Sequence, residues 1–147
     1  LAREPLDLTR LVLDAVRDAQ VAGADHRWQL DLPDEPVTVP GDAGALHQAL
    51  ANLLANARAH TPAGTTVTTA LQVERSSVRL SVTDDGPGIP AVLQPRVFER
   101  LVHGDGPRGG SGLGLSIVAA IVSAHRGTIS VDSVPGHTVL TVVLPSS

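Results

Sequence analysis

The sequence predicts a two-layer α/β sandwich, with three helices packed on one face of a mixed, mostly antiparallel sheet. Three observations carry this. Apolar residues recur at three- and four-residue spacing in three separated stretches, shorter β-branched segments lie between and after them, and Gly or Pro punctuates nearly every junction. That alternation of helical and extended segments is the pattern of a sheet covered by a helical layer. A chain of 147 residues with 42% apolar content can bury one core but not two comfortable ones, so residues 1–147 read as a single domain.

Leu8, Leu11, Val12, Ala15, Val16 and Ala19 follow helical spacing and Gly23 ends the pattern, which predicts a helix from about Asp7 to Val21. Trp28 to Leu32 alternates apolar and polar residues and reads as a strand. Val37 to Val39 is its expected hairpin partner across the turn-like Pro33 to Pro36. A second helix is expected from near Asp42 to His60, burying Leu46, Leu50, Leu53, Leu54 and Ala57. Thr65 to Glu74 and Ser77 to Thr83 are rich in β-branched residues around Arg75-Ser76, the signature of an antiparallel hairpin. From Gly86 to Gly112 the composition shifts to Gly, Pro and charge, and a connection of that length in a small domain is usually functional. A third helix should run from about Gly112 to His125 with Ile117, Val118, Ile121 and Val122 inward. Strands at Thr128 to Asp132 and Thr138 to Leu144 close the chain.

Composition narrows the chemistry. The formal charge is −4 and the isoelectric point near 5.8, so there is no general attraction to nucleic acid or anionic lipid. Cysteine is absent, which removes disulfides, thiol nucleophiles and thiolate metal sites. The six histidines lack paired metal-ligand spacing, and most are expected at surface or capping positions. No apolar run is long enough to span a bilayer. The chain starts at Leu1 and has no methionine, so a fragment of a longer protein is expected.

Three segments carry candidate chemistry. Asn52, Asn56 and His60 are spaced by four and form a polar stripe advancing about 40° per step beside the leucine stripe. Asparagine in a helix interior gains little unless its amide finds partners; a ligand or metal would supply them, and a polar flank is the alternative. Asp84 ends a strand before Asp85-Gly86-Pro87-Gly88-Ile89. A carboxylate there can accept from an exocyclic amine while glycines let a flat ring approach, a bond worth roughly 1.5 to 3 kcal/mol; ordinary turn chemistry is the alternative. Gly110, Gly112 and Gly114 open the third predicted helix, where free N–H groups and the dipole attract phosphate. No Gly-Lys-Ser or Gly-Lys-Thr occurs, so this is not a Walker loop.

In this order Asn52-Leu53-Leu54-Ala55-Asn56-Ala57, Asp84-Asp85-Gly86-Pro87-Gly88-Ile89-Pro90 and Gly110-Ser111-Gly112-Leu113-Gly114-Leu115 resemble the N, G1 and G2 boxes of sensor histidine kinases, whose catalytic domain has the Bergerat ATP-binding fold. Glu4 to Leu8, Val97-Phe98-Glu99-Arg100 (the F box), Ala124 to Gly127 and Val134 to Gly136 extend the resemblance over the whole chain. It implies that Asn56 ligates a magnesium ion bridging the ATP phosphates, with Asn52 assisting directly or through water. It further implies that His60 lies against the nucleoside, that Asp84 binds the adenine amine, and that Gly86, Gly88 and Ile89 line the base. Gly110, Gly112, Leu113 and Gly114 would cradle phosphates, Thr138 would reach the adenine through water, and Phe98 would anchor a lid at about 90–111. Arg100 or Arg108 would meet phosphate charge. Ala59 stands where the family usually has lysine, which turns attention to Arg58, and Leu101 replaces a common second phenylalanine.

The reaction implied is transfer of the ATP γ-phosphoryl group to a histidine on a separate dimerisation domain, and from there to a response regulator. Such a domain would be cytoplasmic and monomeric, its parent anchored in the membrane. His60-Thr61-Pro62 lacks the acidic neighbour of a phosphoacceptor motif and is rejected as one. Related ATPases of this fold carry Glu where Asn52 stands, so Asn52 favours a kinase over a hydrolase. A Bergerat-fold ATPase, a serine kinase and a purely regulatory nucleotide-binding module remain the alternatives.

Overall fold

The computed structural model describes residues 3–89, 94 and 110–147. The elements are β1 (Glu4–Asp7), α1 (Leu8–Ala22), β2 (Arg27–Asp31), β3 (Thr38–Gly41), α2 (Ala43–Ala59), β4 (Thr66–Val73), β5 (Ser77–Asp84), α3 (Gly110–Ala124), β6 (Thr128–Val134) and β7 (His137–Pro145). Asp7 and Asp42 start the first two helices by accepting from Arg10 N and Ala45 N, each at 3.0 Å, which satisfies donors the helix leaves orphaned. Gly23 ends α1 by donating to Ala19 O at 2.8 Å.

Five strands form one sheet in the order β2-β4-β5-β7-β6, and β1 with β3 makes a separate two-stranded ribbon. The β4–β5, β5–β7 and β6–β7 pairs are antiparallel, while β2 runs parallel to β4 from Arg27 opposite Thr66 to Asp31 opposite Ala70. The sheet is thus mixed and mostly antiparallel, as expected. The expected hairpin of Trp28–Leu32 with Val37–Val39 does not form. β3 pairs instead with β1, Leu6 opposite Val39, because two prolines at 33 and 36 carry the chain off the sheet and α2 then serves as the crossover that parallel strands require. β1 itself escaped prediction, since Glu-Pro-Leu-Asp carries no strand signal.

Alternation sets the core. Val67, Thr69 and Leu71 of β4, Val78, Leu80 and Val82 of β5, and Leu140, Val142 and Leu144 of β7 are buried toward the helices. Against them pack Leu8, Val12 and Val16 of α1 and Leu46, Leu50, Leu53 and Leu54 of α2. α3 differs from expectation in its rotation. Leu115, Val118 and Val122 face inward, Ile121 is half-buried and Ile117 is exposed. A helix that is apolar nearly all round offers no polar face to fix its rotation from sequence.

Candidate functional site

The site is built at the end of the sheet where β5 stops. Asp84 lies opposite Val67 of β4 and Thr138 of β7, and Thr138 lies opposite Ser133 of β6. Residues in register share a face. This row continues the buried side of the strands, so Asp84, Thr138 and Ser133 line the space under the helical layer where the hydrophobic core gives out. Thr138 and Ser133 are buried and Asp84 half-buried.

Polar contacts shape the loop after Asp84. Asp84 Oδ1 accepts from Gly86 N at 3.0 Å, while the carboxylate of Asp85 turns away to accept from Thr66 N at 2.8 Å. Gly86 O accepts from Gly136 N at 2.9 Å, joining this loop to the β6–β7 turn. Gly88 has φ +93°, and a Cβ there would sit 2.9 Å from Val134 O, so only glycine fits. Ile89 N donates to Ser133 Oγ at 2.8 Å, and that hydroxyl lies 2.6 Å from Thr138 Oγ1. Gln94 Nε2 donates to the carbonyls of Ile89 and Ser133, both at 2.9 Å. Burial raises the Asp84 carboxyl above its ordinary range and Asp85 pushes the same way, against the Gly86 N–H, His137 and His26.

α2 ends beside this loop through Thr61. Asn52 and Asn56 are half-buried and His60 is exposed; Asn56 O accepts from His60 N at 3.1 Å, which caps the helix. Thr61 follows and touches the loop, since a Cβ on Gly86 would meet Thr61 Cγ2 at 2.6 Å. Arg58 does not join this group. It lies about 200° round the helix from Asn56, and its Nη1 donates to Ala22 O at 2.7 Å, closing the end of α1. A cavity of about 150 Å³ beside it, between α1 and α2, is lined by Ala15, Ala19, Trp28, Leu54 and Arg58 and is remote from Asp84 in its lining. Gly110, Gly112, Leu113 and Gly114 lie in the first turns of α3, which begins two residues earlier than expected and packs against α2. Phe98, Arg100, Arg108 and most of the expected lid at 90–111 fall outside the described residues.

Sequence reasoning missed Ser133, His26 and Gln94. Among the described residues, His26 and His125 are buried rather than superficial. His125 Nε2 accepts from Asp42 N at 3.0 Å, so the proton lies on Nδ1, which faces Ile121 O at 2.8 Å. A lone histidine or serine between ordinary residues gives no signal that its partner is distant in sequence. Ser133→Ala is expected to cost about 1 to 3 kcal/mol, because the Ile89 N–H loses its acceptor and the buried Thr138 hydroxyl its neighbour. Urea unfolding of the two proteins measures it, and an unchanged midpoint would refute the assignment.

A five-stranded mixed sheet packed on three helices, with a carboxylate and a glycine turn at the end of β5, defines the class of Bergerat-fold ATP-binding domains. Residues 41–147 match the family described as histidine kinase-, DNA gyrase B-, and HSP90-like ATPase, and this chain belongs to it, as the catalytic ATP-binding domain of a sensor histidine kinase. It is 58% identical over 149 residues to "Probable sensor histidine kinase TcrY" of Mycobacterium tuberculosis (strain ATCC 25618 / H37Rv), covering 99% of this chain and 31% of that protein. Among solved structures, the mycobacterial sensor histidine kinase MprB is 34% identical with a TM-score of 0.85, covering 97% of each chain. The ATP binding domain of PrrB from Mycobacterium tuberculosis is 30% identical with a TM-score of 0.83, covering 100% of this chain and 99% of that one. The chain therefore spans about a third of the length of curated relatives such as TcrY.

Proposed function

We propose that residues 1–147 form one catalytic unit that binds Mg-ATP and donates the γ-phosphoryl group to a histidine on a separate helical dimerisation domain. The observation that carries this reading is the half-buried Asp84 at the end of β5, held by the Gly86 N–H and faced by Thr138. One carboxylate oxygen is already oriented by the loop, so the group is poised to accept from an exocyclic amine. Gly86, Gly88 and Ile89 would lie along the base, with Thr138 reaching it through water and His60 against the nucleoside. The opening turns of α3 would take phosphate charge on their N–H groups. Phe98 and Arg100 would act from a lid at about 90–111.

Among the described residues there is no group of three or more His, Asp or Glu that could hold a metal ion. Half-buried Asn52 and Asn56 offer neutral amide oxygens instead. That donor set fits magnesium arriving with the nucleotide, most of its ligands being phosphate oxygens and water. Asn56 would hold the ion and Asn52 would assist, directly or through water; when bound it neutralises phosphate charge. In the transfer the bond from the γ-phosphorus to its bridging oxygen breaks as a bond to the acceptor imidazole nitrogen forms, and ADP leaves. The protein's contribution is positioning and charge neutralisation.

The acceptor histidine belongs to the partner domain, a response regulator receives the phosphoryl group from it, and nucleic acid has no part. This unit would be a monomer on the cytoplasmic side of a membrane-anchored parent. No helix among the described residues is long and apolar enough to cross a membrane. A second reading, a nucleotide-binding module that does not transfer phosphate, draws support from Ala59 and from the engagement of Arg58 with Ala22. Asn52 weighs against an ATPase.

Calorimetric titration with a non-hydrolysable ATP analogue, with and without magnesium, tests binding, and incubation with an added acceptor domain tests transfer. Magnesium-dependent binding and an acid-labile phosphohistidine are expected. Binding without transfer would favour the second reading, and no binding at millimolar nucleotide would overturn both.

A further inference from the structure

We propose that His26 and Thr61 are positioning residues for adenine recognition, fixing the direction in which Asp84 presents its carboxylate. The proposal rests on the reading of Asp84 as the group that binds the adenine amine. His26 lies in the loop between α1 and β2, outside every motif, and is only 7% exposed. Its Nε2 is 2.8 Å from Thr61 Oγ1. The Thr61 hydroxyl donates to Ala57 O at 2.6 Å, a bond back along the helix end, so its oxygen is left to accept from the imidazole Nε2–H, while Nδ1 faces the exposed Asp25 Oδ1 at 3.1 Å.

These two bonds select the χ1 of a residue that is stiff there already. They leave its methyl group against Gly86, where an added Cβ would come within 2.6 Å of Thr61 Cγ2. Gly86 is held on its other sides, its N–H donating to Asp84 Oδ1 at 3.0 Å and its carbonyl accepting from Gly136 N at 2.9 Å. The Thr61 methyl closes the side toward α2. The peptide whose N–H aims the carboxylate therefore cannot tilt toward the helix, and its position is set through Thr61 by His26.

A purely structural role for His26 would be to pack on Trp28, ring centroids 5.9 Å apart, a contact whose loss would weaken all nucleotide binding alike, or to join the loop at residues 23–26 to the one at 61–65. Backbone bonds already make that join, from Gly64 N to Asp25 O at 2.8 Å and from Arg27 N to Thr65 O at 2.9 Å. The imidazole bond adds no new join between those loops. What it adds is the orientation of Thr61.

The test is the ratio of dissociation constants for inosine triphosphate and ATP, measured by calorimetry on the 147-residue chain and on four variants. Inosine carries a proton on N1 and an oxygen where adenine has its amine, so the ratio reads the base edge that Asp84 and Thr138 face and not the phosphate contacts or the general quality of the pocket. His26→Ala and Thr61→Ser, which keeps the hydroxyl but lacks the methyl, are each expected to lower the ratio about three- to tenfold through weaker ATP binding alone, the size of one net hydrogen bond. His26→Gln keeps a donor toward Thr61 and should restore most of the preference. A ratio within twofold of wild type in both His26→Ala and Thr61→Ser, or equal losses for the two nucleotides, overturns the proposal. Should His26→Ala fail to fold, Thr61→Ser decides. Asp84→Asn separates the layers. If it leaves the ratio unaltered, the reading of Asp84 fails and takes the proposal with it; if it abolishes the preference while the other variants keep it, only the roles of His26 and Thr61 fall.

Discussion

Asp84→Asn is expected to weaken ATP and ADP binding by roughly ten- to a hundredfold while leaving the nucleotide-free domain at least as stable as wild type at neutral pH. The loss follows from the chemistry of the amide. Asparagine keeps one acceptor for the Gly86 N–H but replaces the other carboxylate oxygen with a donor, which faces the adenine amine wrongly. A charge-assisted bond of about 1.5 to 3 kcal/mol is removed. The stability half follows from linkage. The Asp84 carboxyl is raised chiefly by burial, so its favourable contribution is full below the ordinary carboxylate value and is lost as pH rises through the raised one. At neutral pH wild type keeps a carboxylate in a place that disfavours its charge; Asn carries none. Melting both proteins at pH 7 and near pH 4 measures this, and any advantage of the variant should shrink on acidification. A variant that melts well below wild type at pH 7 would show that the carboxylate is structural, and one that binds ATP normally would remove Asp84 from the site.

Much of this architecture was legible because local and tertiary signals agree. Asp7 and Asp42 precede apolar stripes and do cap helices, and the β-branched runs around Arg75-Ser76 do form a hairpin. The failures fall where tertiary context decides. Trp28 to Leu32 alternates like a hairpin strand, yet its partner is β4, beyond the α2 crossover; pairing that distant leaves no local trace. Ile117 is as apolar as Val118, and only packing against the sheet and α2 decides that Leu115 goes inward instead. At the site, Asp84 and Thr138 are far apart in sequence and become neighbours only through the β5–β7 register. Arg58 shows the reverse error. Ala59, standing where the family usually has lysine, directs attention to its neighbour Arg58, but two residues along a helix from Asn56 turn a side chain to the far side, and the Arg58 guanidinium donates to Ala22 O of α1. Ser133 and His26 act through partners 44 and 35 residues away, Ile89 and Thr61, which no spacing rule anticipates.

Leu50→Ala should behave in the opposite way to Asp84→Asn. Leu50 is fully buried on α2, facing the sheet, and lies about 200° round the helix from Asn52. Truncation leaves a cavity in a close-packed layer and is expected to cost about 2 to 5 kcal/mol, lowering the melting temperature by roughly 10 °C or more. The molecules that remain folded keep Asp84, Asn52 and Asn56 in place, so ATP affinity should stay within about threefold of wild type, a change worth under 1 kcal/mol. Nucleotide binds the folded state alone, and at a hundred times its dissociation constant returns about 2.7 kcal/mol. Adding ATP should therefore recover much of the lost melting temperature in Leu50→Ala, whereas in Asp84→Asn, with its Kd raised ten- to a hundredfold, the same nucleotide should add only about 0.4 to 1.4 kcal/mol. Thermal melts with and without nucleotide read both quantities in one experiment. If Leu50→Ala loses its nucleotide response as well, the asparagine face of α2 depends on core packing beneath it, and the separation of scaffold from site argued from the two faces of this helix fails.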